Sequence, residues 1–249
     1  MTKKIWITGA SSGIGRALAI KFSNEGWQVA ASARRESLLN DLNKSNPNIH
    51  AFVLDVKDEK SVRNVFQNIL QKFETLDICV FATGIHDPEA EKKLSSEKIR
   101  EIMETNFFGT LNCIMAVNSF FREKKDGHIA IVSSVAGYRG LPAASGYCAS
   151  KAALTSLAES LYFDFKRKNV KVSLISPGFI KTPMTDKNTF PMPMIKSPEY
   201  AAEKIFIGLT KKSSFEIHFP KSFTILLKLL KIMPNWLFFW LVERGVKRF

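Results

Sequence analysis

Thr8-Gly9-Ala10-Ser11-Ser12-Gly13-Ile14-Gly15 is the stretch on which the fold turns. It follows Ile5-Trp6-Ile7, a short apolar run that reads as a buried strand. It feeds Arg16-Ala17-Leu18-Ala19-Ile20-Lys21-Phe22, which has helical periodicity. Strand, glycine-rich turn and helix, in that order, form the setting of a dinucleotide phosphate site. Gly9, Gly13 and Gly15 let backbone approach a pyrophosphate, and the helix N-terminus faces the anion. The alternative is an ordinary tight turn. Three glycines at this spacing behind a strand weigh against it.

The segments that follow keep the same alternation. Residues 28–32 read as a second strand. At its end a site built for NAD usually carries an acid for the ribose 2′-hydroxyl. This chain has Arg34-Arg35 instead, and arginine pairs bidentately with a 2′-phosphate. The expected cofactor is therefore NADP(H) in preference to NAD(H); the alternative is that both arginines are simply solvated. Residues 49–54 alternate into a third strand ending at Asp55-Val56, where Asp55 either reaches a base or caps the next turn. A helix is expected over 57–73, with Val62, Val65, Phe66, Ile69 and Leu70 on its apolar face. A fourth strand, 77–81, leads to Ala82-Thr83-Gly84.

A long helical stretch over 95–121 is interrupted at Asn106-Phe107-Phe108-Gly109, where a polar Asn on an apolar face signals a hydrogen-bonded kink. The fifth strand, 127–132, ends at Ser133-Ser134. A helix over 147–168 and strands at 170–175 and 215–219 complete the pattern. This alternation implies an α/β chain, a three-layer Rossmann fold with a doubly wound parallel sheet of about seven strands. Ligands in such sheets bind beyond the carboxyl ends of the strands, where all these polar positions fall.

Tyr147 and Lys151 are four residues apart and share one face of their helix. A fixed ammonium beside a phenol favours the phenolate, which suits the tyrosine to proton transfer. Alone the pair is a weak pattern. With Gly9, Gly13, Ile14, Gly15, Asp55, Val56, Asn106, Ser134 and Pro177-Gly178-Phe179-Ile180-Lys181-Thr182 in order along the chain, it resembles the short-chain dehydrogenases/reductases of the 250-residue type over about residues 3–220. Ser134, thirteen residues before the tyrosine, is thereby distinguished from Ser133.

The resemblance implies an oxidoreductase of the alcohol dehydrogenase type, interconverting a carbonyl and an alcohol by hydride transfer. Tyr147 would be the general acid/base. Lys151 would lower its pKa and hold the nicotinamide ribose. Ser134 would hydrogen-bond the substrate oxygen, and Asn106 would hold a water linking Lys151 to solvent. The cofactor would lie against Gly9, Ser11, Ser12, Gly13, Ile14, Gly15, Arg34, Arg35, Asp55, Val56, Ala82, Thr83, Gly84, Tyr147, Lys151, Pro177, Gly178, Ile180 and Thr182. Two positions depart from the family pattern. Ala82 stands where an Asn usually braces the sheet, and Ser12 stands where NADP-preferring members often carry a basic residue.

The composition allows this reading and narrows it. The chain has 249 residues, 45% hydrophobic and 24% charged, long enough for a substantial core. A net charge of +13 favours anionic partners. Zinc-finger spacing, RNA-binding aromatic motifs and a basic low-complexity arm are not found, so no nucleic acid and no metal are expected. Cys79, Cys113 and Cys148 are isolated and read as reduced thiols. No signal peptide is read after Met1-Thr2-Lys3-Lys4, so the expected location is cytoplasmic.

Residues 1–220 are expected to form one domain, in which the resemblance implies a substrate lid over about 183–196; Met184, Phe190, Met192 and Met194 make it apolar and suit a hydrophobic, even lipid-like, substrate, the alternative being a loop packed on its own domain. Residues 221–249 form an apolar, basic extension. Lys228, Lys231, Pro234 and Asn235 break it too often for a membrane span. Ile225, Leu226, Leu229, Leu230 and Met233 fall near one helical face, with Trp236, Trp240, Arg244, Lys247 and Arg248 beyond. That suits either peripheral contact with an anionic membrane or a subunit interface in a homodimer or homotetramer. The rival reading of the whole chain is a catalytically silent nucleotide-binding scaffold recruited to membranes by this tail.

Overall fold

The computed structural model describes residues 2–212 and 214–246. Seven strands form one all-parallel sheet in the order β3-β2-β1-β4-β5-β6-β7. They are β1 (Lys4–Thr8), β2 (Gln28–Ala33), β3 (Ile49–Val53), β4 (Ile78–Phe81), β5 (His128–Val132), β6 (Lys171–Pro177) and β7 (Glu216–Phe219). All seven were expected, with boundaries moved by one or two residues. The order reverses between β1 and β4, which makes their carboxyl ends the crevice of the fold.

Alternation along β1 splits the core into two layers. Ile5 and Ile7 face α1 (Gly13–Asn24), α2 (Glu36–Ser45) and α8 (Pro198–Ile207). Trp6 faces α3 (Glu59–Phe73), α6 (Gly109–Lys124) and α7 (Ser145–Lys166). Trp6 is fully buried between Phe66 and Phe81, and its indole N–H donates to Ser32 Oγ at 2.9 Å. The bond satisfies the one polar atom of the largest core side chain. The three cysteines are buried free thiols.

The kink expected at Asn106 is a π-turn, Glu104–Phe108, joining α5 (Ser96–Met103) to α6. Such turns cluster at functional sites because they re-aim side chains out of the regular helix. Two helices were not anticipated. One is α2; the other is α4 (Pro88–Lys92), a single turn capped by Asp87, whose carboxylate accepts from Ala90 N at 3.2 Å.

The extension is two helices, not one: α9 (Lys221–Ile232) and α10 (Asn235–Val246), broken at Met233-Pro234. The apolar stripe faces outward, as either expected contact requires. Ile225, Leu226, Leu229, Ile232, Trp236, Phe239 and Trp240 are exposed, while Thr224 and Phe238 are buried. Lys228, off that face, is turned inward onto Glu216. Arg139 donates to Leu230 O at 2.8 Å and to Met233 O at 2.7 Å, and stands over the Phe238 ring at 4.0 Å. Polar anchors on the body therefore choose the inner face. Lys247 and Arg248 lie outside the described residues. No helix among the described residues is long and apolar enough to cross a membrane.

Candidate active site

The glycine turn is held by backbone contact. Gly9 (φ +70°) and Gly13 (φ +54°) adopt left-handed conformations that favour glycine. A β-carbon at Gly9 would fall 2.8 Å from Ala82 O, one at Gly15 2.3 Å from Gly9 O, and one at Gly13 2.9 Å from Thr182 Cγ2. The turn thus packs on the end of β4 and on the loop after β6. Helix α1 has no side-chain cap from Ser12 and no acid in its first turn. First-turn amides lack intrahelical partners, so this end suits an anionic phosphate. These residues fit a nucleotide pyrophosphate.

Arg35 folds onto the same turn. Nη2 donates to Ser11 Oγ at 2.8 Å and to Ser12 Oγ at 2.7 Å, and Nε donates to Ser11 Oγ at 3.2 Å. These acceptors are neutral hydroxyls. Arg34 is exposed. Asp55 Oδ1 accepts from Lys57 N at 3.0 Å, which is the capping arrangement. Val56 packs against Gly109, and its carbonyl accepts from Asn112 Nδ2 at 3.0 Å. Ala82, in place of the family Asn, has its amide held by Thr8 Oγ1 at 3.2 Å. Part of the missing bracing is thus supplied from β1. Ile180 is buried and pairs with Lys196, closing the intervening segment 181–195, and Gly178 lies beneath the Phe223 ring of α9.

Ser134, Tyr147 and Lys151 meet at the carboxyl end of β5. Ser134 opens a short 3-10 turn, Val135–Gly137, by accepting from Ala136 N at 3.1 Å. Ser133 points elsewhere, donating to Lys151 O at 2.8 Å. Lys151 is buried, donates to Val132 O at 2.9 Å, and stands 5.7 Å from the Tyr147 ring centre. A β-carbon at Gly84 would be 3.5 Å from both Lys151 Nζ and Asn106 Oδ1. Asn106 itself donates to Ile85 O and Ser150 Oγ, both at 3.0 Å, and accepts from Ile85 N at 2.7 Å. Its side chain ties the loop after β4 to α7; its direct partners are Ile85 and Ser150, not Lys151.

The electrostatics correct one expectation. Burial pushes the Tyr147 phenol up to about 12, the Ser134 hydroxyl pulls it down, and Cys148 and Glu91 push it further up. Burial lowers Lys151 to about 8. Lys151 was expected to depress the tyrosine. A poorly hydrated site opposes both the phenolate and the ammonium, and that effect dominates the pair.

Two residues that the sequence did not single out stand against Tyr147. They are His86, with ring centres 4.5 Å apart, and the buried Glu91. A cavity of about 580 Å³ lies instead at the β7 edge, lined by Lys196, Tyr200, Lys204 and Lys221 among others; none of Ser134, Tyr147 or Lys151 borders it. No group of residues suited to hold a metal occurs among the described residues.

With this geometry in place, relatives identify the class. The sequence model of the short chain dehydrogenase family matches residues 3–216. The chain is 34% identical over 236 residues to an oxidoreductase of Myxococcus xanthus, covering 93% of each. It is 29% identical over 223 residues to the 3-oxoacyl-(acyl-carrier-protein) reductase of Thermotoga maritima, covering 84% of this chain and 91% of that one. A short-chain dehydrogenase from Streptomyces avermitilis superposes with a TM-score of 0.82 at 25% identity, covering 100% of this chain and 98% of that one. The protein ElxO, solved with NADP bound, gives 0.77 at 26% identity, covering 88% and 98%. The chain belongs to the short-chain dehydrogenase/reductase family and is an oxidoreductase of the carbonyl–alcohol type that uses a nicotinamide cofactor.

Proposed function

We propose that this enzyme is an NADP(H)-dependent reductase/dehydrogenase acting on a hydrophobic, lipid-like carbonyl or alcohol, with Tyr147 as general acid/base. The observation that carries the reading is the convergence of Ser134, Tyr147 and Lys151 at the end of β5, with Gly84 of the loop after β4 beside the Lys151 ammonium. A bound dihydronicotinamide supplies the hydride. In reduction, Tyr147 Oη donates its proton to the carbonyl oxygen as negative charge develops there, and Ser134 gives that oxygen a second hydrogen bond. Lys151 holds the ribose, and its ammonium attracts the phenolate against the burial that opposes both charges. Asn106 fixes the loop bearing Gly84 against the catalytic helix and supports a proton path from Lys151.

The preference for NADP(H) is supported by Arg34 and Arg35, by the lack of an acid at the end of β2, and by the NADP-bound relative. The 2′-phosphate would replace neutral hydroxyls as the partner of Arg35. An apolar substrate is supported by the lid, where Phe190, Met194 and Ile195 are exposed, and by the relative that reduces a 3-oxoacyl group. The test follows NADPH and NADH oxidation with aldehydes, ketones and long-chain 3-oxoacyl thioesters. Turnover with NADPH is expected, with at least a hundredfold loss in Tyr147→Phe. A Tyr147→Phe variant as active as the parent removes the assignment.

The exposed face of α9–α10 is read as a peripheral membrane contact of a cytoplasmic homodimer or homotetramer. Ile232 is 80% and Trp236 72% exposed, and Lys221, Lys231 and Arg244 accompany them. The full chain is expected to co-sediment with anionic vesicles, and Ile232→Asp/Trp236→Ser to stay in solution. Light scattering that shows the same substitutions dissociating an oligomer, without vesicle binding in the parent, assigns the face to a second copy instead.

A further inference from the structure

Glu91 lies in α4 with its carboxylate fully shielded from solvent. Burying a carboxylate is costly unless hydrogen bonds replace its water. Here Oε2 accepts from Gly146 N at 2.6 Å and from Tyr147 N at 3.2 Å, and Oε1 meets His86 Nδ1 at 2.8 Å. Helix α7 receives no cap from its own flank, since Ala144 precedes it. Its first-turn amides, which no helix satisfies internally, are therefore capped from another segment of the chain. The imidazole bonded to that carboxylate lies over the Tyr147 ring, with 4.5 Å between centres and 35° between planes.

The acceptor at Nδ1 fixes the proton there and leaves Nε2 with a lone pair. Burial, and to a lesser degree Lys187, lower the His86 pKa, while Glu91 and Asp87 oppose this; the net direction is downward, toward the neutral ring. The groups facing Tyr147 are thus Ser134, Cys148, Lys151, the neutral His86 and Glu91.

We propose that Glu91 and His86 are positioning residues for Tyr147. Glu91 fixes the start of the catalytic helix through the tyrosine's own amide, and His86, held in one tautomer by the same carboxylate, braces the phenol ring. The inference rests on Tyr147 being the acid/base. The pair also carries an electrostatic signature. The carboxylate opposes the phenolate, so removing its charge must shift the pH at which Tyr147 exchanges its proton.

The test is the pH profile of kcat/KM for alcohol oxidation in the parent, Glu91→Gln, His86→Phe and Tyr147→Phe, with thermal unfolding measured alongside. Glu91→Gln keeps an oxygen for the α7 amides but no charge. Its Tyr147 limb is expected to move to lower pH by roughly half a unit or more. Its kcat is expected to fall on the order of tenfold through misplacement, with KM nearly unchanged. His86→Phe keeps the ring and deletes the donor to Glu91; its limb is expected to move upward. A helix cap alone lowers the unfolding temperature and leaves kcat of the folded variants in place, so folded variants with the parental kcat overturn the proposal, as do unmoved limbs. If Glu91→Gln does not fold, an unmoved limb in His86→Phe overturns it. Full activity in Tyr147→Phe instead overturns the acid/base reading on which it rests.

Discussion

Between Thr8 and Gly15 the site is made by backbones in contact; between Ser134 and Lys151 it is made by polar groups drawn out of water. Both regions sit at carboxyl ends of parallel strands and face one crevice. At the glycine turn, shape and stability agree, because the atoms that would line a phosphate also pack α1 onto β4. At the tyrosine–lysine centre they conflict. Lys151 and Tyr147 are both pushed toward their neutral forms by burial. The fold tolerates a charge it disfavours at the position where the proposed chemistry needs one.

The largest effect that can break this contrast is at Gly15. A β-carbon there falls 2.3 Å from the Gly9 carbonyl, which is backbone and has nowhere to move. Gly15→Val is expected to cost about 3 kcal/mol or more. That corresponds to a fall in Tm of roughly 6–12 °C, together with loss of nucleotide binding. A Tm within a couple of degrees of the parent, by calorimetry, would mean that the turn is looser than its contacts require.

Lys151→Met tests the other side, with the opposite sign for stability. Lowering Lys151 to about 8 means that the buried ammonium destabilises the fold at neutral pH by about 3 kcal/mol. The lost bond to Val132 O offsets part of this gain, leaving about 1–2 kcal/mol. Between the folded pKa and the ordinary lysine value, the unfolded chain holds more protons, so parental stability rises with pH there. The variant is therefore expected to be more stable than the parent at pH 7. It should lose that advantage as pH rises from about 8 toward 10.5, and be at least a hundredfold less active. A lower Tm at pH 7 would show that the lysine supports the fold.

The same difference explains what was legible in the sequence. Steric demands restrict a position to one residue type, so Gly9, Gly13, Gly15 and the seven strands can be read from order and spacing alone. The members of the polar centre are also readable as a pattern, because α7 sets Tyr147 and Lys151 one turn apart. Their electrostatic balance is not, since it depends on how completely two helices and a strand exclude water. Glu91 and His86 escaped for another reason. The carboxylate meets α7 across 55 residues of chain, from a helix too short to show periodicity. The one local sign was Asp87-Pro88, a cap followed by proline at the first helical position. The tail's apolar stripe was legible but the anchors that hold it were not, because apolar counting ignores Glu216 and Arg139, which bind its polar atoms.

The smallest effect sharpens the contrast within a single residue, because Ser134 belongs to both kinds of structure. Its hydroxyl accepts from Ala136 N and opens the 3-10 turn, which is a matter of shape. It also pulls the Tyr147 pKa down, which is a matter of charge. Ser134→Ala is expected to cost about 1 kcal/mol, the usual value of a lost cap. It should also move the Tyr147 limb of the pH profile upward. Ser133→Ala is the paired control. Ser133 donates to Lys151 O at 2.8 Å and lies 3.1 Å from Thr155 Oγ1, so its loss is expected to lower Tm by a similar amount and leave the limb in place. Denaturant titration and pH profiles of the two variants separate the roles. Equal stability losses with only one shifted limb would show that shape and charge are divided between adjacent serines. A limb shifted equally in both would mean that Tyr147 responds to the geometry of the whole turn.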